Sequence, residues 1–180
     1  MTTRDAPRKL DVARLAQARQ TLASTELLQH YERLAQECKG PVADLTLKWQ
    51  ATGETRSLAS GSSHPALHLR AETALPLTCQ RCLGEVPTPV AVDRHFVFLP
   101  DEDTAAALDD DEEDDLLVLA RDFDLHAMIE DEMLLALPLV PMHETCPAPV
   151  KTVAQDADFD AAGGERPNPF AALAALKKRS

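Results

Sequence analysis

Between Leu67 and Phe98 the chain repeats every two residues, with one interruption. Leu67, Leu69, Ala71, Thr73, Leu75 and Leu77 alternate with their neighbours, and after a break at residues 79–84 the alternation resumes through Val90, Val92, Arg94, Phe96 and Phe98. Successive strand side chains point to opposite faces, so the pattern describes two long half-buried strands joined by a hairpin. Leu45, Leu47 and Trp49 carry the same period upstream, with residues 55–59 expected as a partner strand beyond a turn at Thr52 and Gly53. Pro76 cannot donate to a ladder and predicts an edge strand or bulge. Further on, residues 116–120 (LLVLA) are compact enough for another strand, buried on both faces.

Elsewhere the spacing is helical. Residues 10–18 place Val12, Leu15 and Ala16 on one side after Asp11, which predicts a short helix docked on the core. Ser24 or Thr25 is expected to cap a second helix running to about Cys38, with Leu27, Leu28, Tyr31, Leu34, Ala35 and Cys38 as its apolar face. Cys38 then reads as a packed thiol, and Gly40-Pro41 ends the helix. Asp124 caps a helix over residues 125–137, with Leu125, Met128, Ile129, Met133 and Ala136 inward and Glu130, Asp131 and Glu132 on a solvated face. Consecutive helix positions diverge by about 100°, so those three carboxylates cannot meet on one substrate atom. Near the end, Asn168 and Pro169 begin an amphipathic helix over 169–178 that presents Phe170, Leu173 and Leu176 to a partner.

These patterns predict an α+β fold: an antiparallel sheet of about four to six strands, packed by the helix near 124–137, with helical arms at both ends. At 180 residues the chain supports one core. We divide it into an N-terminal helical arm (1–41), an α+β core (42–141) and a flexible tail (142–180). The net charge of −12 is concentrated, because residues 101–115 contain ten acidic residues and no basic one, while 20 acidic residues face 18 basic ones elsewhere. Such density favours solvated chain, so 101–115 reads as a disordered acidic loop. Basic residues gather near both ends, and Arg70, Arg81, Arg94, Lys177, Lys178 and Arg179 are the candidates for phosphate contact. No stretch approaches the length of a membrane span or a secretory leader, which predicts a cytoplasmic protein.

The interruption at the hairpin tip reads Cys79-Gln80-Arg81-Cys82, and far downstream comes His143-Glu144-Thr145-Cys146. Cysteines three apart in a tight turn can aim both sulfurs at one point, and a His-x-x-Cys pair can close a tetrahedral shell around one zinc ion. Cys79, Cys82, His143 and Cys146 are therefore the candidate metal ligands. The alternative is a reduced turn holding two small half-buried thiols. A redox pair is a weaker reading, since such a motif normally opens a helix and nothing after Cys82 has helical spacing. Phosphate-binding Gly loops, Gly-x-Ser-x-Gly elbows and His-Glu-x-x-His helices are all missing, so no catalytic residue is expected. His64, His68, His95 and His126 stand singly, and Ser62 and Ser63 have no orienting carboxylate nearby in the sequence.

Taken in order, the Cys79-to-Cys82 turn, the run DLHAMIEDEMLLALPLVP over 124–141, the His143-to-Cys146 element and the terminal RPNPFAALAALK resemble the YceD family of large-ribosomal-RNA-subunit accumulation proteins. The resemblance spans nearly the whole chain. It implies a bacterial cytoplasmic factor, or a plastid relative, that supports synthesis, processing or stability of large-subunit (23S) rRNA without enzymatic chemistry. The expected partner is that rRNA or a pre-ribosomal particle. The alternative is an adaptor that engages a protein through the terminal helix and acts on rRNA indirectly. The family transfers no binding residues to particular positions.

Overall fold

The computed structural model describes residues 5–109, 112 and 114–147. The chain divides into a unit from Met1 to Cys146 and a second from Pro147 to Ser180, of which only Pro147 is described. The expected helix over 169–178 lies outside the described residues. The first unit is α+β. Its strands β1 (Thr21–Leu27), β2 (Thr46–Ser57), β3 (Ser63–Thr78), β4 (Glu85–Leu99) and β5 (Asp115–Val118) lie side by side in chain order. β1 to β4 form an antiparallel meander, and β5 joins β4 in parallel. The α-helices among the described residues are α1 (Val12–Ala18), α2 (Glu32–Gln36), α3 (Glu102–Leu108) and α4 (Leu125–Leu135).

Period-two alternation sorts the sheet into two faces. Leu47, Trp49 and Ala51 of β2, Leu67, Leu69 and Leu75 of β3, and Val92, Phe96 and Phe98 of β4 join Val12 and Leu15 of α1 and Leu125, Ile129 and Met133 of α4 in the main core. On the opposite face Ala66, Val97 and Leu99 meet Ala105 of α3 in a smaller cluster. Asp11 caps α1 by accepting from Arg14 N at 2.9 Å, and Asp124 caps α4 by accepting from Ala127 N at 2.9 Å, as a short acid before a helix predicts.

Four local expectations give way to long-range contacts. Residues 21–27 form strand β1 rather than the start of a helix, because pairing with β2 satisfies their backbone and turns Glu26 and the half-buried Leu22 toward the core. Only a short 3₁₀ turn (Leu28–His30) and α2 remain of the expected helix, and they bury Leu28, Tyr31 and Leu34. Gly53 is not a turn residue, since β2 runs straight through it. α1 lies so close that a Cβ there would stand 2.5 Å from the Leu15 carbonyl carbon and oxygen. Pro76 lies in β3, which is a central strand, yet beyond the residues paired to β2. Its carbonyl accepts from Lys39 N at 2.6 Å on the side away from β4, where its missing N–H leaves no ladder bond unmade.

The acidic segment is also more ordered than its charge predicts. Asp101 caps α3, accepting from Thr104 N at 2.8 Å, and Glu102 and Asp103 sit in the first turn where the helix dipole favours negative charge. Ala105, Ala106 and Ala107 then supply helix propensity. Beyond α3, Asp114 pairs with Arg56 at 2.7 Å, Asp115 pairs with Arg94, and Glu112 accepts from Ala59 N at 2.6 Å. β5 is a half-buried edge strand instead of one covered on both faces.

α4 departs from the simple amphipathic reading as well. Glu130 and Glu132 are buried, not solvated, while Asp131 between them is exposed. Glu130 accepts from Arg33 N at 2.8 Å and Leu34 N at 3.3 Å, which caps α2 from a neighbouring helix, and its other oxygen holds the Arg33 side chain. Glu132 meets Arg94 of β4 at 3.3 Å. Burial raises the Glu132 carboxyl above the usual range, with Arg94 opposing and Asp115 reinforcing the shift.

Candidate metal centre

β3 ends one residue before Cys79, and the hairpin closes through Cys79 N donating to Gly84 O at 2.8 Å and Leu83 N donating to Cys79 O at 2.9 Å. Leu83 takes a left-handed conformation with φ 57°, which a branched side chain adopts only against local strain. Gly84 leaves room for the cluster, because a Cβ there would stand 3.3 Å from Cys82 Sγ and 3.9 Å from His143 Cε1. Residues 79–84 thus form a tight knuckle with its sulfurs turned one way.

The second half-site reaches this knuckle from the end of α4. Gln80 N donates to Pro141 O at 2.9 Å, and the Arg81 guanidinium donates to the carbonyls of His143 and, at 3.1 Å, Glu144. Residues lying between the two cysteines therefore fasten the segment that carries His143 and Cys146. One donor atom from each of Cys79, Cys82, His143 and Cys146 lies within 4.8 Å of the others, and Cys82 Sγ is 3.5 Å from His143 Nδ1. The four residues named from their spacing converge, although His143 is 61 positions from Cys82. This cluster could hold a metal ion.

Its electrostatics favour a cation. Cys79 is fully buried, whereas Cys82, His143 and Cys146 are half-buried. The backbone N–H of Cys82, with smaller help from His143 and Arg81, pulls the Cys79 thiol down to about 5 against its burial. Burial and the Cys82 and Cys79 sulfurs push the Cys146 thiol up. One thiolate is thus formed readily while a neighbour resists losing its proton, a conflict that a bound cation removes by supplying positive charge at the shared point. All four cysteines are free thiols. Cys38 stays apart, half-buried against the core with its thiol raised by burial.

The remaining candidates are dispersed. Arg70 is bonded to Asp93 at 3.1 Å on the sheet face away from the main core, Arg94 is held by Asp115 and Glu132, and Arg81 serves the knuckle. Lys177, Lys178, Arg179, Phe170, Leu173 and Leu176 lie outside the described residues. His68 and His95 are not single, because the β3·β4 register sets them opposite each other with ring centroids 4.0 Å apart. Asp93 binds His68 at 2.5 Å and Glu54 binds His95 at 2.7 Å. Stacked rings hold their lone pairs in nearly parallel, separate planes, a poor arrangement for aiming both at one ion between them. Gln80, Pro141 and Gly84 also serve the cysteine site, and of these only Gly84, next to a Cys-x-x-Cys turn, carries a local signal in the sequence.

No helix among the described residues is long and apolar enough to cross a membrane. A family model described as large ribosomal RNA subunit accumulation protein YceD matches residues 67–177, more than half of the chain and all four converging donors. A protein of Haemophilus influenzae with the same description is 29% identical over 180 residues, covering 96% of this chain and 97% of the relative. No solved structure matches. With a knuckle, a capped helix and a returning His-x-x-Cys element all inside the matched region, the chain belongs to the YceD family of large ribosomal RNA subunit accumulation proteins.

Proposed function

We propose that this protein is a non-enzymatic cytoplasmic factor that supports the synthesis, processing or stability of 23S rRNA by binding that RNA or a pre-ribosomal particle. Family membership across residues 67–177 is the observation that carries the reading. The knuckle is its rigid corner, stiffened by one zinc ion on Cys79, Cys82, His143 and Cys146. Zinc fits the donor chemistry. With Zn–S near 2.3 Å and Zn–N near 2.05 Å, a tetrahedral centre separates S and N by about 3.6 Å, close to the 3.5 Å between Cys82 Sγ and His143 Nδ1. Four protein donors fill a tetrahedral shell and leave no position for a substrate, which supports a structural role.

Arg81 at the corner, Arg70 and Arg94 on the sheet, and Lys177, Lys178 and Arg179 in the tail are the proposed phosphate contacts. Each phosphate neutralised releases counterions, so affinity for rRNA fragments falls steeply as salt rises, and replacing the three tail cations flattens the slope by about 0.7–0.9 for each phosphate left without its cation. Affinity indifferent to salt would defeat direct binding. For the metal, protein prepared without chelator carries one zinc, and Cys82→Ser loses both zinc and thermal stability. Metal-free protein that folds equally well would remove zinc from the proposal.

A second reading, a protein adaptor, has one observation in its favour. Leu83, Leu139, Val140 and Met142 are exposed large apolar residues on the knuckle and on the segment bonded to it. Phe170, Leu173 and Leu176, outside the described residues, are the other apolar contacts of this reading. In that case a protein partner survives nuclease treatment in pull-downs and no longer binds Leu83→Ser combined with Leu139→Ser.

A further inference from the structure

β1 carries one charged side chain toward the core. Glu26 is 2% exposed, and no Lys or Arg pairs with it among the described residues. An uncompensated buried carboxylate costs free energy, so its surroundings call for an explanation. Its two oxygens are treated differently. Oε1 accepts from Ala6 N at 2.8 Å and from the Trp49 indole, which fixes the plane of the carboxylate. Oε2 is buried and has no well-formed hydrogen bond among the described residues.

Glu26 also lines a cavity of about 320 Å³ together with Asp5, Arg8, His30, Glu32 and His126. Donor atoms of Asp5, Glu26 and His30 lie within 4.8 Å of one another, and His30 Nδ1 is 3.7 Å from Asp5 Oδ1. A carboxylate with one oxygen fastened by N–H donors and the other bare is the arrangement by which outer contacts orient a metal ligand. The other two ligands stand at the mouth, since the side chains of Asp5 and His30 are 74% and 41% exposed. An ion could enter from solvent and keep some of its water.

We propose that this cavity binds a divalent cation of the Mn²⁺ class through Glu26 Oε2, Asp5 and His30. Two carboxylate oxygens and one imidazole nitrogen, with no thiolate, favour an oxygen-seeking ion that also accepts nitrogen. The site is separate from the cysteine centre and independent of the rRNA reading. It ties residues 5 and 6, β1 and the 3₁₀ turn to one point, so occupancy clamps the N-terminal segment onto the sheet. The competing occupant of Oε2 is the Tyr31 hydroxyl, also buried without a well-formed partner; burial and then the Glu26 charge keep it protonated and available to donate.

Trp49 makes the test direct, because it is the one tryptophan in the chain and its indole N–H touches Glu26. Full-length protein, its cysteine centre first loaded with zinc, is titrated with Mn²⁺ while the Trp49 indole resonance and Tm are followed. The resonance broadens at substoichiometric Mn²⁺, and Tm rises by about 5–10 °C at roughly 100 times Kd. Glu26→Gln, which keeps an acceptor for Ala6 and Trp49, and His30→Ala, which removes a half-exposed ring, each abolish both responses. Asp103→Asn in the acidic segment leaves them intact. If Tyr31 alone satisfies Glu26, wild-type protein shows neither response and the proposal fails. It fails equally if Glu26→Gln and His30→Ala respond as wild type does.

Discussion

Replacing Gly53 by alanine tests the seating of α1 on the sheet. The added Cβ would stand 2.5 Å from Leu15 C and O and 2.7 Å from Ala16 N, where ordinary contact begins at 3.4 Å. Relief requires α1 to move away by roughly 0.9 Å, because the obstacle is backbone and cannot rotate aside. Overpacking of this kind costs about 1–3 kcal/mol. Complete undocking would expose Val12 and Leu15, worth about 1.5–3 kcal/mol each. We therefore expect a loss of about 2–4 kcal/mol, seen in urea as a midpoint lower by about 1–2 M when followed by Trp49 fluorescence. Adding Leu15→Ala does not rescue the variant, since the clash is with the Leu15 main chain. Gly61→Ala, with φ +82° and open space around it, carries only a backbone penalty of about 1 kcal/mol. A Gly53→Ala protein within about 0.5 kcal/mol of wild type would refute the close approach of α1.

Arg81→Ala keeps all four candidate donors but frees the carbonyls of residues 143 and 144; under the proposed zinc centre, stoichiometry stays at one while affinity in a chelator competition falls about 10–100-fold. Glu130→Ala removes the carboxylate that caps α2, at a cost of about 2–3 kcal/mol in denaturant unfolding, whereas exposed Asp131→Asn costs about 0.5 kcal/mol or less. Glu132 has a folded-state pKa above its unfolded value, so the native state holds the proton longer. Its contribution is therefore fully present below the unfolded pKa and is lost as pH rises through the folded one. Glu132→Gln removes that descending step from a stability-against-pH curve measured upward from pH 4; an unchanged curve would contradict the burial of this carboxyl.

The adaptor and RNA readings place different demands on the same corner. An RNA contact uses charge at Arg81, whose guanidinium keeps its positive charge while bonded to two carbonyls. A protein contact uses Leu83, held exposed in a left-handed conformation. Arg81→Lys with Leu83→Gly separates them, because the first preserves charge and loses the carbonyl clamp, and the second relieves strain while deleting apolar surface.

Short-range pattern was enough for much of this molecule. Alternation around residues 67–98 specified two long strands with the cysteines at their junction, because side-chain direction in a strand follows from pleat alone. Asp11 and Asp124 announced their helices, because an N-cap bond closes within three residues. Other features depend on partners distant in the chain. Residues 21–27 became a strand because β2 offered a free edge, Gly53 passed through a strand because α1 rests on it, and β5 ran parallel because α3 carried the chain back across β4. Glu130 and Glu132 went inward because Arg33, the α2 backbone and Arg94 were waiting to compensate them. The four candidate donors could be singled out from spacing, but only tertiary structure could bring them within 4.8 Å of one another. Local periodicity encodes direction and caps, whereas burial of charge and convergence of ligands are decided by which surfaces meet.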